Sequence, residues 1–292
     1  MLVIDWGTTN LRAYSCRDDG FIVARTELEQ GIKVVAAGQY PTVLCQVSQE
    51  LDLLPDETIY VCGMAGARGG WMEAAYCETP VAIKALKAGL LPLPEPFKGF
   101  LVPGIKTLSA GGILDVIRGE EIQVFGALRQ LGLKDALICL PGTHSKWVQV
   151  RNRQIVSFMT FMTGDVFQAL GQTILNCRAE DGFDEQAFLS GLTESQQTGG
   201  GLLHQLFTAR TRMLAAELKN EQVSSFVSGL LIGHELKESE VCRRNDEKIV
   251  IIGSELLTQR YRIALEQASA AVETLGSDIA TCSGIAALRQ FS

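Results

Sequence analysis

The spacing of apolar and polar positions changes period several times along the chain. Leu2 to Ile4 is an apolar run closed by Asp5, and Leu11 to Tyr14 and Phe21 to Arg25 are further short runs of strand character. Gly7, Thr8 and Thr9 separate the first two runs, and Asp18-Asp19-Gly20 separates the next two. The N-terminus therefore predicts a three-stranded meander opened by a tight Gly-Thr loop. The layout returns later, with Gly142-Thr143 in the place of Gly7-Thr8. Ala136 to Leu140 is a strand, Pro141 to Lys146 a small polar loop, and Trp147 to Val150 and Ile155 to Phe158 are strands around a turn at Arg151 to Arg153. Few identities survive between the two passages; the pattern repeats, and it predicts two related lobes that each begin with a hairpin.

Between and after the hairpins strands mix with helices. Thr42 to Leu51 and Glu120 to Leu131 have helical spacing, and Thr58 to Cys62 is a strand running into Gly63-Met64-Ala65-Gly66. Leu91 to Gly104, with Pro92, Pro94, Pro96 and Pro103, predicts irregular chain. Asp184 to Leu236 is mostly helical and broken at Gly199 to Gly201; Lys248 to Ile252 is a buried strand ending at Gly253-Ser254, followed by a helix from Glu255 to about Ala270. A last helix spans about Gly284 to Gln290. This order indicates an α/β fold, with residues 1–118 as a first lobe, 119–276 as a second, and 277–292 packing back on the first.

The chain has 292 residues and a net charge of -7, which argues against a general nucleic-acid or acidic-membrane binder. No apolar run reaches membrane-spanning length. The N-terminus leads straight into a strand, so a signal peptide is not expected and the cytoplasm is. Eight cysteines lie far apart with no CxxC, as in a reduced protein, and the three histidines lack zinc-like spacing.

Walker-type and dinucleotide-type glycine motifs are missing. Phosphates can instead be held by small-residue hairpin loops that present backbone N–H groups. Asp5, Gly7, Thr8, Thr9 and Asn10 supply one such loop, with Asp5 placed for a hydrated Mg2+. Gly142, Thr143, His144, Ser145 and Lys146 supply a second, and the step at Gly253-Ser254 offers backbone for a flat adenine. Each loop alone reads as a plain turn. Their order, N-terminal, central and C-terminal, is similar to that of the actin-like kinase superfamily. That similarity implies a two-lobed, ribonuclease H-like fold with an ATP cleft between the lobes.

In that superfamily the carboxylate that takes the acceptor's proton commonly precedes the second hairpin, which brings in Asp115, Glu120 and Glu121. The segment also resembles that of exopolyphosphatases, and by position the activating acid there is Glu121. Glu120 and Glu121 read equally as acids favouring a helix N-terminus. Met64, Gly66, Arg68 and Trp71 lie in a glycine-rich loop after a strand, where Arg68 could pair with a carboxylate. Thr163, Gly164 and Asp165 could meet sugar hydroxyls. His144 reads as a loop hydrogen-bonder rather than a base.

Taken together these residues resemble the 2-dehydro-3-deoxygalactonokinase family over essentially the whole chain. The resemblance rests on Ile4 to Arg12, Gly63 to Gly66 with Gly70-Trp71, Arg118 to Glu121, Leu140 to Trp147, and Thr160 to Gly164. The family pattern leads one to expect Ser near Ala67 and Glu near Asp165. The resemblance implies ATP and Mg2+ as co-substrate and metal, and phosphorylation of the terminal 6-hydroxyl of a small sugar acid in galactonate breakdown. It leaves room for a homodimer. Two other readings remain at this stage: a phosphohydrolase of the exopolyphosphatase type, and a non-enzymatic sugar-acid sensor.

Overall fold

The computed structural model describes residues 1–54, 56–109, 111–171, 182–239, 248–268 and 270–290. Strands β1 (Leu2–Trp6), β2 (Leu11–Cys16) and β3 (Ile22–Leu28) form the expected antiparallel meander, with Asp5 opposite Arg12. Helix α1 (Tyr40–Glu50) starts with Pro41 in its first turn, where the missing N–H costs nothing. It buries Tyr40, Val43, Leu44 and Val47, one face at helical spacing, against Leu2, Ile4 and Trp6. Strand β4 (Ile59–Gly63) then runs parallel to β1, pairing Asp5 with Cys62 and Trp6 with Gly63.

The chain continues through β5 (Tyr76–Glu78), β6 (Val81–Ala82), α2 (Ile83–Ala88), β7 (Leu91–Pro92), β8 (Gly99–Leu101), β9 (Gly104–Leu108) and β10 (Leu114–Ile117) to α3 (Glu120–Gln130). The segment expected to be irregular thus contains a hairpin, β7–β8, and the start of β9. Its prolines are tolerated because β7 is the edge of its sheet, where a missing N–H breaks no ladder. The second hairpin is β11 (Ala136–Leu140), β12 (Ser145–Arg151) and β13 (Gln154–Phe161). It is followed by α4 (Thr163–Leu170), α5 (Glu185–Ser195), α6 (Gly201–Leu214), α7 (Val223–Glu238), β14 (Ile249–Gly253), α8 (Glu255–Gln267), β15 (Val272–Gly276) and α9 (Ser277–Gln290).

The first six-stranded sheet has the order β3-β2-β1-β4-β8-β7 and the second β15-β14-β11-β12-β13-β6. The run β3-β2-β1-β4 thus has its counterpart in β13-β12-β11-β14, so the repeat of pattern in the sequence is a repeat of strand order. A third sheet has the order β10-β9-β5. Among the described residues no helix is long and apolar enough to cross a membrane. Six cysteines are free thiols; Cys177 and Cys242 lie outside the described residues.

The chain forms two compact units. One comprises Met1–Ile138, Val148–Phe158 and the stretch from Leu275; the other comprises Cys139–Trp147 and the chain from Met159 to Thr274. The bounds differ from the expected division at 118/119, because α3 and β11 up to Ile138 belong to the first unit. The reason is the packing of α3 on α9. A Cβ on Gly126 would overlap Ala280 O, and one on Gly284 would overlap Ile122 O, so the two backbones touch with nothing between them. The second unit uses the same device, with Gly191 against Phe226 O and Gly229 against Phe188 O between α5 and α7.

Backbone contact leaves no room for one methyl group. Gly126→Ala should therefore destabilise the protein by about 1–3 kcal/mol, the usual cost of overpacking. Urea denaturation checks this against Gly111→Ala, where the new Cβ would meet nothing closer than Ser109 Oγ at 3.8 Å.

Candidate active site

Asp5 is the half-buried penultimate residue of β1, and the loop after the strand is closed by Gly7 N donating to Asn10 O at 2.9 Å. The main chain of Gly31, Ile32 and Lys33 lies over this loop. Their N–H groups donate to the carbonyls of Thr9, Gly7 and Thr8 at 2.7, 3.1 and 3.2 Å. The loop's carbonyls are thereby occupied, while among the described residues the N–H groups of Thr8 and Thr9 meet no acceptor. A loop with its acceptors used and its donors free is suited to an anion. The Asn10 amide donates to Glu27 at 2.8 Å, so its side chain is engaged within the hairpin.

The end of β4 and the start of α3 meet beside this loop. Gly63 has φ 86° and Gly119 φ 108°, values that disfavour any side chain. A Cβ on Gly119 would lie 3.1 Å from Gly63 Cα, and one on Gly63 would lie 3.1 Å from Asp5 Oδ1. This approach gathers three acids. Glu121 is fully buried, and its two carboxylate oxygens accept the Gly119 N–H at 2.9 and 2.7 Å. Glu120 Oε2 accepts the Arg118 N–H at 2.9 Å. Burial, with the Glu120 charge beside it, pushes Glu121 up to about 8. Burial also lifts Asp5 to about 6, against the pull of Arg12 and with the push of Glu120. Asp115, the alternative base, sits on β10 and accepts its neighbour's Val116 N–H at 2.7 Å.

The glycine-rich loop divides its residues between two tasks. Trp71 stacks on Tyr40 at 6.1 Å and meets Trp6 at 6.3 Å, so it belongs to the aromatic cluster that holds α1 on the sheet. Arg68 is exposed and Met64 half-buried. Gly66 is buried with its Cα directly over Arg118, whose Nη1 would lie 2.7 Å from an added Cβ.

In the second unit, Gly142, Thr143 and His144 form the turn between β11 and β12. Ser145 and Lys146, expected in this loop, are the first residues of β12 and are buried. Ser145 Oγ shares a hydrogen bond with Tyr261 OH at 2.7 Å, and Lys146 Nζ donates to His144 O at 3.0 Å. The N-terminus of α4 packs on the turn. Asp165 N donates to Thr143 O at 3.1 Å, His144 Nε2 and Asp165 Oδ2 are 2.7 Å apart, and a Cβ on Gly164 would lie 2.5 Å from Gly142 O. The expected phosphate loop and the residues expected to meet the sugar therefore form one assembly. Gly253 adjoins it, 3.5 Å from Pro141 by the same measure. Exposed Ser254 follows, and one turn on, the buried Thr258 Oγ1 has no partner among the described residues.

Glu235 on α7 organises this assembly. It accepts Trp147 Nε1 and Tyr261 OH, each at 2.7 Å, and also Thr163 Oγ1. Burial pushes its carboxyl above the ordinary range despite these donors. The sequence reading passed over it, although one acid late in the apolar run Phe226 to Leu236 was a usable signal: a buried charge needs partners.

The acids of the first unit make a prediction for the metal-free protein. Glu121 titrates near 4.5 when unfolded and about 8 when folded, so between these values the folded state binds more protons than the unfolded one. Its stabilising contribution is present in full below 4.5 and is lost as pH rises through about 8. Thermal midpoints should fall across this window, and Glu121→Gln should flatten the fall.

Residues 5–288 match the 2-keto-3-deoxy-galactonokinase family. A 2-dehydro-3-deoxygalactonokinase of Escherichia coli K12 is 32% identical over 289 residues, covering 97% of this chain and 95% of that protein. The crystal structure of a candidate 2-dehydro-3-deoxygalactonokinase from Sinorhizobium meliloti superposes with a TM-score of 0.90 at 30% identity, covering 99% of this chain and 98% of that one. Component A of (R)-2-hydroxyglutaryl-CoA dehydratase from Acidaminococcus fermentans, at 13% identity and a TM-score of 0.55 over 99% and 96% of the chains, shares the fold alone. The fold is that of the actin-like ATPases and sugar kinases, and the chain belongs to the 2-keto-3-deoxy-galactonokinase family.

Proposed function

We propose that this protein transfers the γ-phosphoryl group of ATP to the 6-hydroxyl of 2-dehydro-3-deoxy-D-galactonate, as a cytoplasmic step of galactonate breakdown. The observation that carries this reading is the family match over residues 5–288. The geometry supplies parts for each role. The free N–H groups of Thr8 and Thr9, and the Gly142-Thr143 turn backed by Lys146, are suited to phosphate oxygens. Gly253 and Ser254 offer main chain to the adenine. The phosphohydrolase and sensor readings have no support from the relatives and are set aside.

Asp5 fits a hydrated Mg2+. Its carboxyl is raised by burial and by Glu120, a penalty that a cation relieves. Among the described residues no three acids, histidines or cysteines gather as a metal cage. Hydrated Mg2+ keeps several waters and takes one or two carboxylates plus phosphate oxygens. Bound there, the metal would neutralise charge on the phosphates.

Glu121 is the proposed base. Phosphoryl transfer asks the protein for position and charge compensation more than for covalent chemistry. A carboxylate oriented by the Gly119 N–H can hold the attacking hydroxyl and take its proton late.

Two measurements test this. ATP consumption with a panel of 2-keto-3-deoxy sugar acids should exceed consumption in water alone; equal rates would indicate a hydrolase. Glu121→Gln should lower kcat by about 10²- to 10⁴-fold, with ATP and sugar-acid affinities by calorimetry nearly unchanged. Glu120→Gln and Asp115→Asn should be milder, and normal turnover by Glu121→Gln would move the base to one of them.

A further inference from the structure

Arg118 immediately precedes the glycine that opens α3, and its side chain is 7% exposed. Its Nη2 donates to Ala74 O at 2.8 Å, and its guanidinium lies over the Tyr76 ring, 4.3 Å from the centroid. Nε and Nη1 are enclosed and have no acceptor among the described residues. The Arg118 charge is felt by Glu121, but no carboxylate oxygen hydrogen-bonds either nitrogen. Glu120 Oε2 is taken by the main-chain N–H of Arg118 itself, and both oxygens of Glu121 by that of Gly119. A buried cation with open donors is costly. The loop over it is built for closeness, because any side chain at Gly66 would strike Nη1. These features describe a buried cationic seat with two donors that hold no hydrogen bond.

We propose that Arg118 binds the carboxylate of the acceptor, an inference that rests on the kinase reading above. The C1 carboxylate of the 2-keto acid takes the open Nε and Nη1 donors when the loop from Met64 to Gly70 lifts to admit it, and Tyr76 forms the outer wall. Arg118, rather than the exposed Arg68, then sets the preference for sugar acids over uncharged sugars.

The test uses full-length protein and two acceptors, 2-dehydro-3-deoxy-D-galactonate and its C1 carboxamide. Wild type should prefer the acid. Arg118→Gln should lose about ten- to a hundredfold in kcat/KM on the acid, the worth of a charge-assisted pair. It should keep its value on the carboxamide and its calorimetric Kd for ATP. Equal loss on both acceptors would make Arg118 structural and overturn the proposal, as would an undiminished rate on the acid. Should Arg118→Gln fail to fold, Arg118→Lys keeps the charge but not the planar fork, and it should narrow the acid-to-carboxamide ratio; an unchanged ratio would overturn the proposal. Wild type that uses neither acceptor would instead sink the kinase reading itself.

Discussion

The main chains at Gly63 and Gly119 approach closely, each at a φ that disfavours a side chain, and the acids of the first unit lie around that approach. Gly63 ends β4 and Gly119 opens α3. Their contact sets Asp5 at the end of β1 beside the first turn of a helix whose own acids cap it. Glu121 is then buried by design of the backbone, and its raised titration follows from burial and from Glu120 as its neighbour. The same approach places Arg118 under Gly66, where two of its nitrogens have nothing to hold.

Close backbone packing is the fold's general answer to position. Helix α3 is fixed against α9 by Gly126 and Gly284, and α5 against α7 by Gly191 and Gly229. Side chains that interdigitate can repack by changing rotamer; backbones in contact cannot. A helix held this way offers its N-terminal acids at a defined place. In the second unit the work of fixing passes to a side chain. Glu235, buried on α7, ties the strand after the second loop, the N-terminus of α4 and helix α8 to one carboxylate.

Both hairpins were legible in the sequence because apolar runs and Gly-rich turns give strong local signals. So were α1, α3 and the helical stretch broken at Gly199 to Gly201. The start of α9 was not, since Thr281, Cys282 and Ser283 are small or polar yet buried, which makes sense only once Gly126 brings α3 against them. Strand β15 is half-buried throughout and has no alternation to read. The pair β9–β10 hides behind exposed Leu108, Ile113 and Leu114. At the site, the loops were legible by composition, but the boundary between loop and strand at Ser145 was not. Arg118 lay inside a recognised motif without a role, because whether a guanidinium is paired is a property of three-dimensional neighbours. Glu235 was visible as a lone acid among apolar residues, and its partners were not.

The most direct test of the central constraint is the turnover number of Gly119→Ala with ATP and the sugar acid. At φ 108° an alanine is strained, and its methyl would lie 3.1 Å from Gly63 Cα, so the start of α3 must shift; small misplacements of a reacting group can cost about 10²-fold in rate. The account predicts a fall in kcat of that order or more, in a protein that still folds and still binds ATP. A Gly119→Ala enzyme with the wild-type kcat would contradict it, because the acids would then not depend on the approach of these two backbones.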